Sequence, residues 1–170
     1  MTAPTLHTAR LTLRPLTMAD YPAYASFMAS QRSIHMGGPH DLFKTWGWFC
    51  HDAGQWALSG FGGLMIDVTA TGDTIGCVSI NHGPLFAEPE LGWFLYDGFE
   101  GQGHATEAAL AMRDWAFAVR GLPTLVSYID PPNRASAAVA ERLGAALDPD
   151  APRHPGDEAD LVYRHARAAA

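Results

Sequence analysis

Residues 90–106 read ELGWFLYDGFEGQGHAT, and the order of their parts decides the fold. Residues 91–96 form an aromatic and apolar run between Pro89 and Asp97-Gly98, which predicts a buried strand. From Ala105 the period changes. Ala105, Ala108, Ala109, Met112, Trp115, Ala116 and Val119 follow helical spacing with one apolar face. Gly101 and Gly103 stand at the switch, where the missing Cβ permits a tight turn and lets an anion approach the first helical N–H groups. A strand, a glycine turn and a helix in this order make an anion cradle.

Taken alone, the Gly-x-Gly has an equally good steric reading, since tight strand-to-helix turns use glycine for room. A Walker loop would need Lys-Ser/Thr after the last glycine; His104-Ala105 stand there, and Lys44 is the only lysine in the chain. A dinucleotide fingerprint would need Gly or Ala at Thr106, although Asp130 could imitate its ribose-binding acid.

Composition narrows the classes. With 170 residues, 48% hydrophobic and 17% charged, the chain is expected to form a single globular domain over 1–170 with a full core. No apolar stretch is long enough to span a membrane, and no basic region with an apolar h-region opens the sequence, so a cytoplasmic protein without membrane partners is expected. Cys50 and Cys77 lack CxxC spacing and the eight histidines lack ligand spacing, so neither a disulfide framework nor a metal site is expected. A net charge of −7 opposes nucleic-acid binding and leans toward a cationic or amine-bearing partner.

Outward from the central stretch, residues 6–16 (LHTARLTLRPL) alternate as one half-exposed strand ended by Pro15, and Thr17 with Asp20 opens a helix running to about residue 30. Residues 32–63 are rich in aromatics and glycine, with a second helix at 41–51. Residues 55–68 and 74–81 read as strands around the turn TATGD. After the central helix, Leu122-Pro123 closes it and residues 124–129 form a strand. A strand–helix–strand crossover makes the two flanking strands parallel neighbours. Asn133 caps a helix over 134–143, and a Pro-rich loop at 148–157 leads to a last strand at 159–165 and a frayed alanine-rich tail.

Two motifs carry a family resemblance. Glu100-Gly101-Gln102-Gly103-His104-Ala105, followed by Thr106-Glu107-Ala108, resembles the acyl-CoA loop Q/R-x-x-G-x-G/A of GNAT N-acetyltransferases. Asn133-x-x-Ser136-x-x-Val139-Ala140-Glu141-Arg142-Leu143-Gly144 resembles their second signature, and T-x-R-L-x-L-R-P-L near the start is similar to the opening of the RimJ/RimL-like branch. The resemblance covers residues 5–147. It departs from the family at Glu100, where Gln or Arg is usual, at Ala145, where Phe is usual, and at Ala140, where many members carry a Tyr that protonates the departing thiolate.

The resemblance implies an α/β (α+β) GNAT fold: a mixed, mostly antiparallel sheet with one parallel pair joined by a crossover helix and flanked by helices. It implies acetyl-CoA as cosubstrate, bound by N–H groups of Gln102, Gly103, His104, Ala105 and Thr106, by the main chain of Phe94, Leu95 and Tyr96, and by Asn133. The acceptor is a primary amine, on a small molecule or a protein N-terminus, that attacks the thioester directly. Glu90 is the candidate proton acceptor and Ser136 the nearest substitute for the missing Tyr, while His35 and Trp46 fall in the acceptor region. A CoA-binding sensor without efficient chemistry is the alternative that Glu100 and Ala140 raise. Which amine is used, and whether the chain is a homodimer, stay open.

Overall fold

A computed structural model describes residues 2–153 and 159–167. Its strands are β1 (Leu6–His7), β2 (Leu11–Arg14), β3 (Gly63–Val68), β4 (Thr74–Asn81), β5 (Glu90–Leu95), β6 (Val126–Ile129), β7 (Ala146–Leu147) and β8 (Leu161–Arg164). Its helices are α1 (Tyr21–Met28), α2 (Leu42–Leu58), α3 (His104–Ala118) and α4 (Arg134–Arg142). The strands form one sheet in the order β1-β2-β3-β4-β5-β6-β8-β7. Every neighbouring pair is antiparallel except β5 and β6, the pair joined through α3.

The two faces of the sheet follow from strand alternation. On one face Leu64, Ile66, Val78, Ile80, Leu91 and Leu95 pack on α3, whose Ala108, Ala109, Met112 and Ala116 are fully buried. Small residues there let the helix lie close to β4 and β5. On the other face Met65, Cys77 and Phe94 meet Tyr24, Phe27 and Met28 of α1 and Phe49 of α2, with Phe27 and Phe94 stacked at 4.3 Å.

Several boundaries differ from the sequence reading. Residues 6–16 make a hairpin, not one strand, because Thr8 turns the chain: its Oγ1 accepts from Leu11 N–H at 2.9 Å and its N–H donates to Leu11 O at 2.9 Å. Gln55–Leu58 belong to α2, not to a strand. Asp41 caps that helix through Lys44 N–H at 2.8 Å, Gly60 with φ +75° follows its end, and Trp56 binds Gly63 O through Nε1 at 2.8 Å. Val119, expected on the buried face of α3, lies past the helix end and is exposed. The last strand is shorter than 159–165, and β7 was not foreseen. Residues 154–158 of the Pro-rich loop and 168–170 of the tail lie outside the described residues.

Arg14 ties three elements together. It pairs with Asp20 at the start of α1 at 2.7 Å and with Asp67 of β3 at 2.6 Å, and Asp20 also accepts from Thr17 N–H at 2.7 Å. Burial alone would raise the Asp20 carboxyl, yet the Arg14 and Thr17 hydrogen bonds hold it below the ordinary range. Its stabilisation is therefore present above pH 4 and lost on acidification. Arg14→Ala leaves a buried carboxylate unpaired, and chemical denaturation is expected to show a loss of about 2–4 kcal/mol at neutral pH that shrinks as Asp20 is protonated.

Candidate active site

Strand β5 is paired along its length on one edge and almost nowhere on the other. Toward β4 the register runs from Glu90↔Asn81 to Leu95↔Gly76, whereas Glu90↔Val126 is the one pair with β6. Tyr96 N–H donates to Ile75 O at 2.8 Å. By alternation the main-chain groups of Phe94 and Gly92 also face β4, and those of Leu91, Trp93 and Leu95 face β6.

Side chains hold the strands apart. Ser127 Oγ donates to Leu91 O at 2.6 Å, and Arg32 Nη2 donates to Leu95 O at 3.2 Å. With the Ser127 proton so engaged, the 3.0 Å contact to His165 needs His165 Nε2–H as donor. Burial, assisted by Arg113, lowers this imidazole to about 4 and keeps it neutral. The groups left facing the gap are the Trp93 N–H and C=O and the Leu95 N–H.

At the gap's far end α3 begins on Gly103, at φ +81°, with no side chain capping it. The N–H groups of His104, Ala105 and Thr106 therefore have no acceptor within the helix, and the first that does is Glu107 N–H, bonded to Gly103 O at 3.0 Å. The loop is pinned from outside: Arg10 pairs with Glu107 at 2.7 Å and donates to Gln102 O at 3.0 Å. The Glu100 carboxylate pairs with Arg32 and accepts Gly98 N–H at 3.0 Å, so its charge is offset by protein groups.

A cleft of about 770 Å³ runs along this region. Gly101, Gly103, His104, Ala105 and Thr106 line it with Arg32, Asn133, Ser136 and Arg142. The donors fit a polyanion such as the pyrophosphate of acetyl-CoA: an uncapped helix start, the Arg142 guanidinium, and the buried His104 ring, whose Nδ1 has no partner among the described residues and is a donor in its Nδ1–H tautomer.

A second cavity, of about 650 Å³, opens on the α1–α2 side of the sheet. It shares Ile34, His35, Met36, Trp93, Phe94, Asn133 and Ser136 with the cleft, so the two meet at the splay. Glu90 lines it beside Asn81, Ser79 and Gly92. His35 lines it too, with Nδ1 at 2.7 Å from Asp130. Asp52 of α2 also lines it although only 6% exposed, and accepts the Tyr24 hydroxyl at 2.8 Å. Burial pushes the Asp52 carboxyl up to about 7, against the lowering effect of the Tyr24 bond. Burial and Asp52 also push the Tyr24 phenol up, so it remains a donor.

The residues singled out from sequence are mostly gathered here. Glu90, Ser136, Asn133 and His35 line the second cavity, and the last three also line the cleft. Asn133 Oδ1 accepts Ser136 N–H at 3.1 Å and so caps α4. Phe94 and Tyr96 turn their amides to β4, leaving Leu95 the one of the expected three on the open edge; Trp93 is the residue sequence reasoning missed. Trp46 is not among the residues lining either cavity. It meets Tyr21 edge to face at 5.2 Å, and Trp48 lines the second cavity in its place. Asp52, Tyr24 and Ser127 were also missed.

A model of the acetyltransferase (GNAT) domain matches residues 10–146. The chain belongs to the GNAT acetyltransferase family. Members of this family are acyl-CoA-dependent acyltransferases. A crystal structure of the acetyltransferase from Agrobacterium tumefaciens str. C58 is 62% identical over 98% of this chain and 96% of that one, with a TM-score of 0.94. RimL, a ribosomal L7/L12 alpha-N-protein acetyltransferase solved with coenzyme A, shares the fold at 20% identity, over 94% of this GNAT chain and 96% of its own, with a TM-score of 0.72. The ribosomal-protein-S5-alanine acetyltransferase from Vibrio fischeri does so at 18%, over 98% of each chain, with a TM-score of 0.70. The uncharacterized protein YkkB of Bacillus subtilis (strain 168) matches at 40% over 55 residues, so the chain spans about a third, 32%, of that curated relative.

The raised Asp52 carboxyl has a consequence for stability. Between about pH 4 and pH 7 the folded protein keeps on Asp52 a proton that the unfolded chain has released, so the contribution of this group to stability falls as pH rises through the window, opposite in sign to that of His165. Urea unfolding across that range should show the stability of Asp52→Asn relative to the wild type increasing as pH rises; parallel curves would contradict the assignment.

Proposed function

We propose that residues 1–170 form one GNAT domain that transfers an acetyl group from acetyl-CoA to a primary amine. The observation that carries this reading is the junction of two cavities at the β5–β6 splay, one lined by an uncapped helix start and the other by carboxylates. The first suits a polyanionic cosubstrate and the second a cationic acceptor. A cytoplasmic setting, where acetyl-CoA is drawn on for many transfers, suits the same reading. No helix among the described residues is long and apolar enough to cross a membrane.

Acetyl-CoA, when bound, supplies a thioester whose carbon–sulfur bond breaks as the amine nitrogen forms its bond to the acetyl carbon. The chain's part is placement and proton handling. N–H groups of His104, Ala105 and Thr106 hold phosphate, with Gly103 shaping the approach and Gln102 presenting the loop. The Trp93 and Leu95 main chain pairs with the amide-bearing arm, and Asn133 lines the cleft opposite. An N–H on this open edge also stabilises negative charge developing on the acetyl oxygen. Glu90 accepts the proton that the amine gives up, directly or through water, and Ser136 lies where the leaving sulfur needs a hydrogen-bond donor, since Ala140 offers none.

A thermal-shift titration with acetyl-CoA, CoA, NAD and ATP tests the cosubstrate. Acetyl-CoA and CoA should each raise the melting temperature, and Gly103→Val, forced into φ +81°, should abolish the rise. With an amine panel and thiol release as readout, Glu90→Gln should lower kcat about 10²-fold or more while keeping the acetyl-CoA shift. Stabilisation by NAD alone would overturn the reading, and CoA binding without turnover of any amine would make the chain a CoA sensor.

A further inference from the structure

The acceptor cavity carries a buried carboxylate that the transfer reaction does not use. Asp52 is 6% exposed, accepts one hydrogen bond from the Tyr24 hydroxyl, and forms no ion pair among the described residues. No lysine or arginine lines the cavity that it faces. A structural carboxylate in such a place would be a net cost to the fold, since an apolar or amide side chain could fill it without burying charge.

Its position relative to the splay is set by sheet register. Gly63, Ser79 and Gly92 lie side by side on β3, β4 and β5 and share one face. A Cβ on Gly63 would stand 2.9 Å from Asp52 Cβ, so Asp52 sits over the β3 end of this row. The row has two glycines and one serine, which leaves a shallow trough across the strands. Asn81 and Glu90 border it on one side, Cys77 and Phe94 on the other. Two interstrand spacings, about 10 Å, separate the ends of the trough. Asp52 closes one end; the Trp93 edge, where the thioester is attacked, opens at the other.

We propose that Asp52 is an ammonium-binding subsite, and that the acceptor is a short diamine or similar dication whose second nitrogen is held there while the first is acetylated beside Glu90. This rests on the acetyltransferase reading of the site. The Tyr24 hydroxyl holds one carboxylate oxygen and orients the group. Trp48, Tyr24 and Phe94 supply aromatic surface for the connecting methylenes. A chain of about four to six carbons between nitrogens spans the trough once the reach of both carboxylates is subtracted.

The test compares 1,4-diaminobutane and 1,6-diaminohexane with butylamine and hexylamine, in wild type, Asp52→Asn and Tyr24→Phe. Wild type should prefer the diamines in kcat/KM by about tenfold or more, and Asp52→Asn should remove that preference through KM while acetylating the monoamines within about twofold of wild type. Tyr24→Phe should weaken it in part. A readout independent of turnover is thermal shift of the CoA-saturated protein: a diamine should stabilise wild type and not Asp52→Asn, whose own melting temperature should equal or exceed that of wild type at pH 7 because the cost of either burying the carboxylate charge or protonating it is gone.

Equal treatment of diamines and monoamines by wild type would overturn the proposal. So would an Asp52→Asn variant that slows both alike, since that would make Asp52 the proton acceptor, or one that melts lower, since that would make it structural. In all three cases acetyl-CoA binding and monoamine turnover would leave the acetyltransferase reading standing. Loss of CoA-induced stabilisation in the wild type would fail that reading instead.

Discussion

The structure depends on one unfinished pairing. β5 and β6 are brought parallel by the α3 crossover, close at Glu90↔Val126, and then part. An open strand edge inside a fold would ordinarily be unfavourable, because buried amides need partners. Here Ser127, supported by a neutral His165, takes the Leu91 carbonyl, and Arg32 takes that of Leu95. What remains open is a short length of main chain around Trp93, at the place where the cleft meets the acceptor cavity. The gap is thus a built feature of the sheet, with its own supporting side chains.

Charge is divided across that gap. The cleft side gathers Arg142 and the positive end of α3, with Arg32 paired to Glu100 and Asp97, while the second cavity gathers Asp52, Glu90 and Asp130 and, among the described residues, no lysine or arginine. Glu100, which stands where the family carries a neutral or basic residue, does not upset this division, because Arg32 and the Gly98 amide neutralise it locally. The net charge of −7 is therefore a poor guide to any one site. Two opposed fields on either side of the β5–β6 splay are what a transfer between an anionic donor and a cationic acceptor needs.

Much of this was legible in the sequence because the decisive elements are local. The strand, the glycine turn and the start of α3 are consecutive, and Gly101 and Gly103 take the positive φ that their identity allowed. The Asn133 cap is equally local. What was missed depends on register and on helix rotation. Which of Trp93, Phe94, Leu95 and Tyr96 shows its amide to the gap is a matter of period two, and a bulky apolar run does not declare its parity. Trp46 and Trp48 are two residues apart on α2 and so point to different sides, one to Tyr21 and the other into the cavity. Asp52 was hidden because α2 was expected to stop at residue 51, before the turn that carries it.

The central claim is that the open edge of β5 and the first turn of α3 together hold acetyl-CoA. Amide hydrogen exchange read residue by residue, with and without CoA, addresses it most directly. The account predicts slowed exchange at Trp93, Leu95, His104, Ala105 and Thr106 on CoA binding, with Phe94 and Tyr96, already bonded to β4, little changed. Protection confined to α2 and the acceptor cavity, or none on β5 and α3 at saturating CoA, would contradict it.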